Sequence, residues 1–275
     1  MWNMIKLMLG LAVITMIGIA CSPKKESPKM LVLYYSQTSN TKGVAQEIAT
    51  RLNADIEEIV MVEPYDTAFE ATIERCMKER EQGIIPEIQP LKSNIADYDI
   101  IFIGFPVWFG TYAPPVAALL DKIDLSGKKV VPFCTFGSGG LESSTKDLAA
   151  KQPNAEILQG YGVRAARMDA VAKEVDQFLK ASGFIEGEFF QPAAFPEQHP
   201  VNADEAAIFD AAVDGYPMLN AKSTAVAMRE IPEGMEYMFS AKDQPRDDKG
   251  GEPRDILVYV TVEKGKAPVF TKVVR

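Results

Sequence analysis

The sequence predicts an α/β protein with a doubly wound parallel sheet of five strands in the order 2-1-3-4-5, followed by a small α+β domain with an antiparallel sheet. Two observations support this prediction. Between residues 30 and 183, apolar runs of strand length alternate with segments of helical apolar spacing, as in parallel α/β sheets. After residue 203, one helix pattern precedes several strand patterns with no helix pattern between them, which indicates antiparallel strands.

Length and charge limit the classes of function. The chain has 275 residues, enough for two domains, and its net charge of -9 disfavours nucleic acid or an anionic membrane surface as a partner. The single histidine, His199, stands between Gln198 and Pro200 and is predicted to be a surface residue. Neither the cysteine nor the histidine spacing predicts a metal site.

Residues 1–21 are predicted to be a lipoprotein signal peptide. The apolar run Leu7–Ala20 is too short for a comfortable membrane span and matches the core of a secretory signal. Gly18–Cys21 resembles a bacterial lipobox, so Cys21 is predicted to be the acylated mature N-terminus and residues 22–29 a tether. This predicts a protein of the bacterial cell envelope, facing the periplasm and held to a membrane only by its lipid. Simple cleavage and an uncleaved anchor are the alternatives.

Two further cysteines remain in the mature chain. Cys134 ends an apolar strand pattern and Cys76 lies in a helix pattern, so both are predicted to be buried free thiols. A disulfide between them in an oxidising periplasm is the alternative.

The first strand pattern begins at Leu31, and helical spacing resumes at Val44. The loop between them is rich in hydroxyl and amide groups, and it faces the positive end of a helix dipole, which suits a phosphate without a cluster of Arg or Lys. It contains no glycine before Gly43, unlike a Walker loop or a dinucleotide loop. An ordinary helix cap is the alternative. The candidate residues are Ser36, Gln37, Thr38, Ser39, Asn40 and Thr41.

The next strands are short continuous apolar runs, which are typical of central parallel strands covered on both faces. The helices between them show apolar residues three or four positions apart. The predicted elements are, in order, strand Asp55–Val62, helix Asp66–Gln82, strand Asp99–Gly104, helix Val116–Ile123, strand Lys128–Cys134, helix Ser143–Ala150, strand Asn154–Leu158 and helix Met168–Ser182.

A second unusual loop follows the third strand. Its aromatic rings, held by Pro and Gly at the end of a strand, are suited to stacking on a flat ligand, although packing under the next helix is the alternative. Its candidate residues are Pro106, Trp108, Phe109, Gly110, Thr111 and Tyr112.

A third loop follows the fourth strand, and its glycines allow the backbone to approach a ligand edge closely. It lacks the first glycine of a nucleophile elbow, so Ser138 is not predicted to be a hydrolase nucleophile. Strands 1, 3 and 4 are neighbours in the predicted order, so the three loops should converge where such sheets bind ligands. Its candidate residues are Thr135, Phe136, Gly137, Ser138, Gly139 and Gly140.

The motif Ser36-Gln-Thr38-Ser39-Asn40-Thr41 resembles the flavodoxin phosphate motif Ser/Thr-x-Thr-Gly-Asn-Thr, with Ser39 in place of the glycine. Together with the other two loops, it makes residues 30–183 similar to a flavodoxin domain. The resemblance implies a flavodoxin-like fold, non-covalent FMN, and electron transfer to a redox partner protein or a small-molecule acceptor. A flavin-free binding lipoprotein that retains the scaffold is the alternative.

The same resemblance implies a role for each loop. The first would hold the flavin phosphate, the second the isoalloxazine, and the third its pyrimidine edge. Trp108 would stack on the ring, while Gly110 would lie near the flavin N5 and Tyr112 nearby. Residues 105–115 contain no Asp or Glu, so we also expect a less negative reduction potential than in flavodoxins with acidic loops.

The C-terminal part begins with a predicted linker, residues 184–202, marked by its prolines. The outline of residues 203–275 faintly resembles the cystatin-like fold, but only Gly234 of the inhibitory loop is present, so a docking or dimerisation domain is predicted. Its predicted elements are helix Ala203–Val213 and strands Ser223–Glu230, Met235–Ala241, Ile256–Val262 and Pro268–Val273.

Overall fold

The computed structural model describes residues 27–244 and 251–275. Two sheets organise the chain, one for each predicted domain. The first part contains β1 Met30–Tyr34, α1 Asn40–Leu52, β2 Asp55–Glu58, α2 Phe69–Gln82, β3 Ile100–Trp108, β4 Thr111–Tyr112, α3 Pro114–Leu120, β5 Lys129–Phe136, α4 Leu141–Lys151, β6 Glu156–Ile157, β7 Tyr161–Arg164 and α5 Val171–Ala181. The second part contains β8 His199–Pro200, α6 Ala203–Val213, β9 Ala221–Ile231, β10 Gly234–Asp243, β11 Arg254–Glu263 and β12 Val269–Val274.

The first sheet has the predicted topology. Its parallel strands lie in the order β2-β1-β3-β5-β6, and β7 pairs with the far half of β5, so the five predicted strands are arranged 2-1-3-4-5. Successive residues of β3 are buried on opposite faces: Phe102 packs into one hydrophobic cluster and Ile103 into the other. Burial on both faces explains the continuous apolar runs.

Three strands differ from the prediction in extent. The second, predicted over Asp55–Val62, ends at Glu58. The fifth strand, predicted to end at Leu158, is interrupted and continues as β7. Its register against β5 shifts by one residue between the pairs Val130–Ile157 and Phe133–Tyr161. At this break, a Cβ at Gly160 would lie 2.4 Å from the Pro132 carbonyl oxygen. The third strand, predicted to end at Gly104, runs on to Trp108 because it forms a hairpin with β4. The aromatic loop is therefore partly sheet.

The second sheet is antiparallel, in the order β12-β11-β10-β9-β8. Helix α6 begins and ends at the predicted residues, and its Phe209 is fully buried against the sheet. The prediction of an α+β unit is confirmed. Within the part of the chain that the structure describes, no helix has the length and apolar character needed to cross a bilayer.

The predicted linker is attached along much of its length. Phe184 and Ile185 pack on the first domain's core, and the Phe195 ring lies 6.0 Å from that of Tyr259. At its end, His199–Pro200 pairs with β9 and belongs to the second sheet. The prolines mark the absence of regular structure, but a composition pattern does not reveal these side-chain contacts.

Candidate functional site

The three predicted loops meet at the carboxyl ends of the parallel strands. The hydroxyls of Thr41 and Thr135 form a buried hydrogen bond of 2.8 Å, which joins the start of α1 to the end of β5. The second and third loops touch where a Cβ at Gly140 would lie 2.5 Å from Val107 Cγ1. The predicted convergence of these loops is confirmed.

The first loop leaves its polar groups open at the start of α1, a helix of 13 residues. Ser39 occupies the N-cap position with φ 66°, and its side chain makes no capping hydrogen bond. Among the described residues, the side chains of Thr38, Ser39 and Asn40 have no hydrogen-bond partner, and Thr38 and Ser39 are exposed. This arrangement differs from an ordinary helix cap and offers hydroxyl and amide donors to an anion.

Two other residues of the first loop have structural partners. Ser36 Oγ accepts a hydrogen bond from the Lys42 amide at 3.2 Å. The Gln37 side chain accepts from the Tyr35 hydroxyl at 2.6 Å and donates to the Asp66 carbonyl at 2.8 Å. The Ser36 and Gln37 side chains therefore stabilise the loop through hydrogen bonds within the protein.

The second loop is the tight turn of the β3–β4 hairpin. Its two turn residues, Phe109 and Gly110, both have positive φ (51° and 85°), as in the two-residue turns that match the twist of paired strands. The Phe109 side chain is 43% exposed, and the Arg80 guanidinium lies 4.8 Å above its ring. The Phe109 ring is therefore partly exposed, with Arg80 over one face, and its stacking on a ligand stays a prediction.

Trp108 is half-buried. Its ring makes edge contacts with the rings of Tyr35 at 6.0 Å and Tyr65 at 5.3 Å. The Tyr65 hydroxyl in turn donates to the buried Glu79 carboxylate at 2.5 Å. These contacts fix the orientation of the Trp108 ring, and its stacking on a flavin stays a prediction.

Helix α4 supplies contacts that the sequence did not reveal. The Thr111 hydroxyl donates to Asp147 Oδ2 at 2.5 Å, and the Ser143 hydroxyl donates to the Gly110 carbonyl at 2.5 Å. Asp147 therefore places a carboxylate beside a loop that has none of its own. Burial, and then the charge of Asp147, raises the pKa of Tyr112, whose hydroxyl stays protonated at neutral pH.

The third loop is held by residues far away in the sequence. The Arg164 Nε donates to the Gly137 carbonyl at 2.8 Å, and the Val273 amide donates to the Ser138 carbonyl at 2.6 Å. A Cβ at Gly139 would lie 2.2 Å from the Val273 carbonyl oxygen. Gly139 is thus required for the close approach of β12. From the sequence, the glycines of this loop are instead predicted to allow the approach of a ligand.

The two cysteines within the described residues are free and buried, as predicted. Burial raises the pKa of both the Cys76 and the Cys134 thiol, so neither is a reactive thiolate. No group of three or more His, Cys, Asp or Glu that could hold a metal occurs in residues 27–244 and 251–275. The predicted signal peptide and Cys21 lie outside the described residues.

His199, the predicted surface histidine, has a side chain that is 48% exposed. Its Nε2 lies 2.9 Å from Glu205 Oε1 at the start of α6, away from the three loops.

Known proteins similar to this chain share the first domain. A family model described as Flavodoxin matches residues 29–178. The crystal structure of a protein classed as a flavoprotein from Bacteroides eggerthii is 26% identical, covers 56% of this chain and 98% of its own, and superposes with a TM-score of 0.50. A flavoprotein from Lactobacillus acidophilus in complex with FMN is 24% identical, covers 55% of this chain and 99% of its own, and has a TM-score of 0.46.

An uncharacterized protein from Methanocaldococcus jannaschii is 31% identical over 116 residues. The aligned region is 42% of this chain and 59% of that protein, so the match spans less than two thirds of the relative's length.

Proposed function

Since the chain belongs to the flavodoxin family, whose model matches residues 29–178, we propose that it binds FMN non-covalently and transfers electrons, as a carrier or a small reductase. The observation that supports this most directly is the open start of α1, where Thr38, Ser39 and Asn40 have no partner within the described residues. A phosphate there would accept hydrogen bonds from these side chains and from the first-turn amides. The donors are neutral, which suits a chain with a net charge of -9 and no basic cluster in the loop.

The other loops have the chemistry for a flat heteroaromatic ring. The partly exposed Phe109 ring and the edge-packed Trp108 border one side of the site, and the backbone of residues 137–140 offers N–H groups on another. FMN, when bound, supplies the redox chemistry, since its ring accepts one or two electrons. The protein's part is to bind the phosphate, orient the ring and set the charge around it.

Charge near the site bears on the class of acceptor. Among residues 27–244 and 251–275, the one carboxylate that hydrogen-bonds a candidate residue of the second loop is Asp147, and the side chains of Arg164 and Arg275 hydrogen-bond the third loop. Fixed positive charge near a flavin favours its reduced anion. This supports a reduction potential less negative than that of flavodoxins with acidic loops, and chemistry nearer to quinone or thiol reduction than to low-potential electron supply.

Flavin titration of the purified full-length chain tests the proposal. We expect a visible flavin band on purification or reconstitution, and at least tenfold tighter binding of FMN than of riboflavin, because only FMN has the phosphate. If the flavin-depleted chain bound no added FMN, the flavin-free alternative would replace this proposal.

We further propose that the protein works at the bacterial cell envelope as a lipoprotein, supported by the apolar run before Cys21. Cys21→Ala should shift the protein from the membrane fraction to the soluble fraction without changing its flavin spectrum, because the lipid is attached through that thiol. A processed Cys21→Ala protein that stays with membranes would refute lipid anchoring.

A further inference from the structure

The edge strand of the second sheet docks on the third loop of the flavodoxin domain. Val273 pairs with Val258 on one side of β12, and its amide and carbonyl point away from the sheet. The amide donates to the Ser138 carbonyl at 2.6 Å, and the carbonyl oxygen lies against Gly139. The loop therefore takes the place that a further strand would have beside β12.

Arg164 locks the same junction from the flavodoxin side. It comes from β7, and its guanidinium donates to the Gly137 carbonyl and to the Phe270 carbonyl, both at 2.8 Å. The same group lies 4.2 Å from the Phe270 ring and 5.0 Å from the Tyr216 ring. A planar guanidinium can bridge two carbonyls and stack on a ring at once, which a lysine ammonium cannot do.

Two more cations complete the junction. Lys272 Nζ lies 3.1 Å from Glu142 Oε1 in the first turn of α4, and Arg275 Nη1 lies 3.3 Å from Ser138 Oγ. Three residues of the C-terminal segment therefore hold the junction. The Val273 backbone and the Arg275 side chain contact the third loop at Ser138, and Lys272 contacts α4 directly after that loop.

We propose that the second domain is a built-in part of the flavin site, in which β12 and Arg164 position the third loop for the isoalloxazine ring. This inference rests on the proposed function. A glycine-rich loop loses much backbone entropy when it becomes ordered, and ordering it before the ligand arrives improves affinity. Val273 and Arg164 are positioning residues, because they contact the third loop and would act on the flavin only through it.

The proposal predicts which flavin is affected. A loop that contacts only the ring contributes equally to FMN and riboflavin. Val273→Pro removes the amide that binds Ser138 while keeping a residue that an edge strand tolerates. Arg164→Lys keeps the charge and removes the bridge between the two carbonyls. In the full chain, each should weaken both flavins by at least tenfold and shift the visible spectrum of bound flavin.

Matched controls separate positioning from general destabilisation. Val226→Ala truncates a side chain buried in the second domain's core on β9, and it should lower the melting temperature while leaving both flavin affinities within twofold. Arg229→Lys changes a second clamping arginine, which binds Glu236 and the Ala193 carbonyl and stacks over Phe195 away from the loop. It too should leave both affinities within twofold.

Amide hydrogen exchange on the flavin-free chain tests the docking itself. We expect faster exchange at residues 138–141 in Val273→Pro and Arg164→Lys than in the wild type and the controls. If both variants bind FMN and riboflavin as the wild type does, the positioning role is refuted even though flavin binding stands. If the wild type binds no FMN, both the proposed function and the positioning of a flavin are refuted. If residues 138–141 also exchange at the same rate in the variants as in the wild type, β12 and Arg164 do not order the loop either. If Val273→Pro does not fold, Arg164→Lys decides the outcome.

Discussion

Helices α1 and α6 begin with similar small polar residues but treat their free amides in opposite ways. At α6, Asn202 Oδ1 accepts from the Glu205 amide and Glu205 Oε2 accepts from the Asn202 amide, both at 2.9 Å, which is a complete capping box. At α1, the N-cap residue Ser39 is left-handed at φ 66° and its side chain makes no capping hydrogen bond. The start of α6 is thus capped by the protein's own side chains, whereas the start of α1 leaves donors for another group.

The difference shows how a cap and an anion site can be told apart. A helix start left without a cap has unpaired donors that water, a ligand or another part of the protein must satisfy. The start of α1 lies at the carboxyl end of β1, on the same edge of the sheet as the other two candidate loops, whereas the capped start of α6 already holds the Glu205 carboxylate. An anion would therefore be favoured at α1 and repelled at α6.

The largest expected effect of this difference is on FMN. A hydrogen bond to a charged group contributes roughly 1.5–3 kcal/mol, so Thr38→Ala or Asn40→Ala should weaken FMN about tenfold or more and leave riboflavin nearly unchanged. Asn94→Ala, which removes a capping asparagine far from the three loops, is the control and should change neither affinity. Equal losses for both flavins in Thr38→Ala would move the phosphate away from α1.

The reciprocal change at α6 should affect stability alone. Asn202→Ala removes half of the capping box and should lower the free energy of unfolding by about 1–2 kcal/mol, measured by urea denaturation. FMN affinity, measured well below the transition, should stay within twofold. A large loss of affinity without a loss of stability would contradict the assignment of Asn202 as a purely structural cap.

Removing the strain at the start of α1 should stabilise the protein slightly. A non-glycine residue in the left-handed region costs roughly 1–2 kcal/mol, and glycine removes this strain. Glycine also gives the unfolded chain more conformational freedom, which offsets part of the gain. Ser39→Gly should therefore raise the free energy of unfolding by about 0.5–1 kcal/mol in urea denaturation. A decrease would mean that the Ser39 hydroxyl has a stabilising partner.

The smallest expected effect is a pH dependence at α6. The Asn202 amide, and then the hydrogen bond from His199, holds the pKa of Glu205 below its usual value. A carboxyl with a lowered folded pKa stabilises the protein above its unfolded pKa of about 4.3, and this stabilisation is lost as the pH falls through the folded pKa. Glu205→Gln keeps a capping-box residue without the charge.

Urea denaturation at pH 7 and pH 3 measures that dependence. We expect the wild type to be more stable than Glu205→Gln by under about 1 kcal/mol at pH 7, with the difference shrinking at pH 3. A difference that grows in acid would mean that the Glu205 pKa is raised in the folded protein.

The elements were largely predictable because they depend on local patterns. Helix α6 matches its predicted range, and the continuous apolar runs of β3 and β5 identified strands buried on both faces. The strand order then placed three distant loops at one edge of the sheet. The break at Gly160 was missed, because a local pattern does not show a one-residue shift in register against a neighbouring strand.

Within the site, the sequence determined which residue types are present but not which of them are free. Gln37 and Thr38 are neighbours of similar polarity, yet the first is engaged with Tyr35 and Asp66 and the second is exposed without a partner in the described residues. In the same way, Trp108 is held by two tyrosine rings while Phe109 stays open. Side-chain direction depends on neighbours that a local pattern does not contain.

By itself, the sequence determined the two sheets, their strand order and the three loops, because apolar periodicity and turn residues act over a few positions. Only the tertiary structure decided what approaches those loops. Asp147 binds Thr111, which lies 36 positions away in the sequence. Arg164 binds both Gly137 and Phe270, and Phe270 lies 106 positions after it. A glycine in the sequence permits close approach, but the packing of the two domains determines that the approaching group at Gly139 is the Val273 backbone.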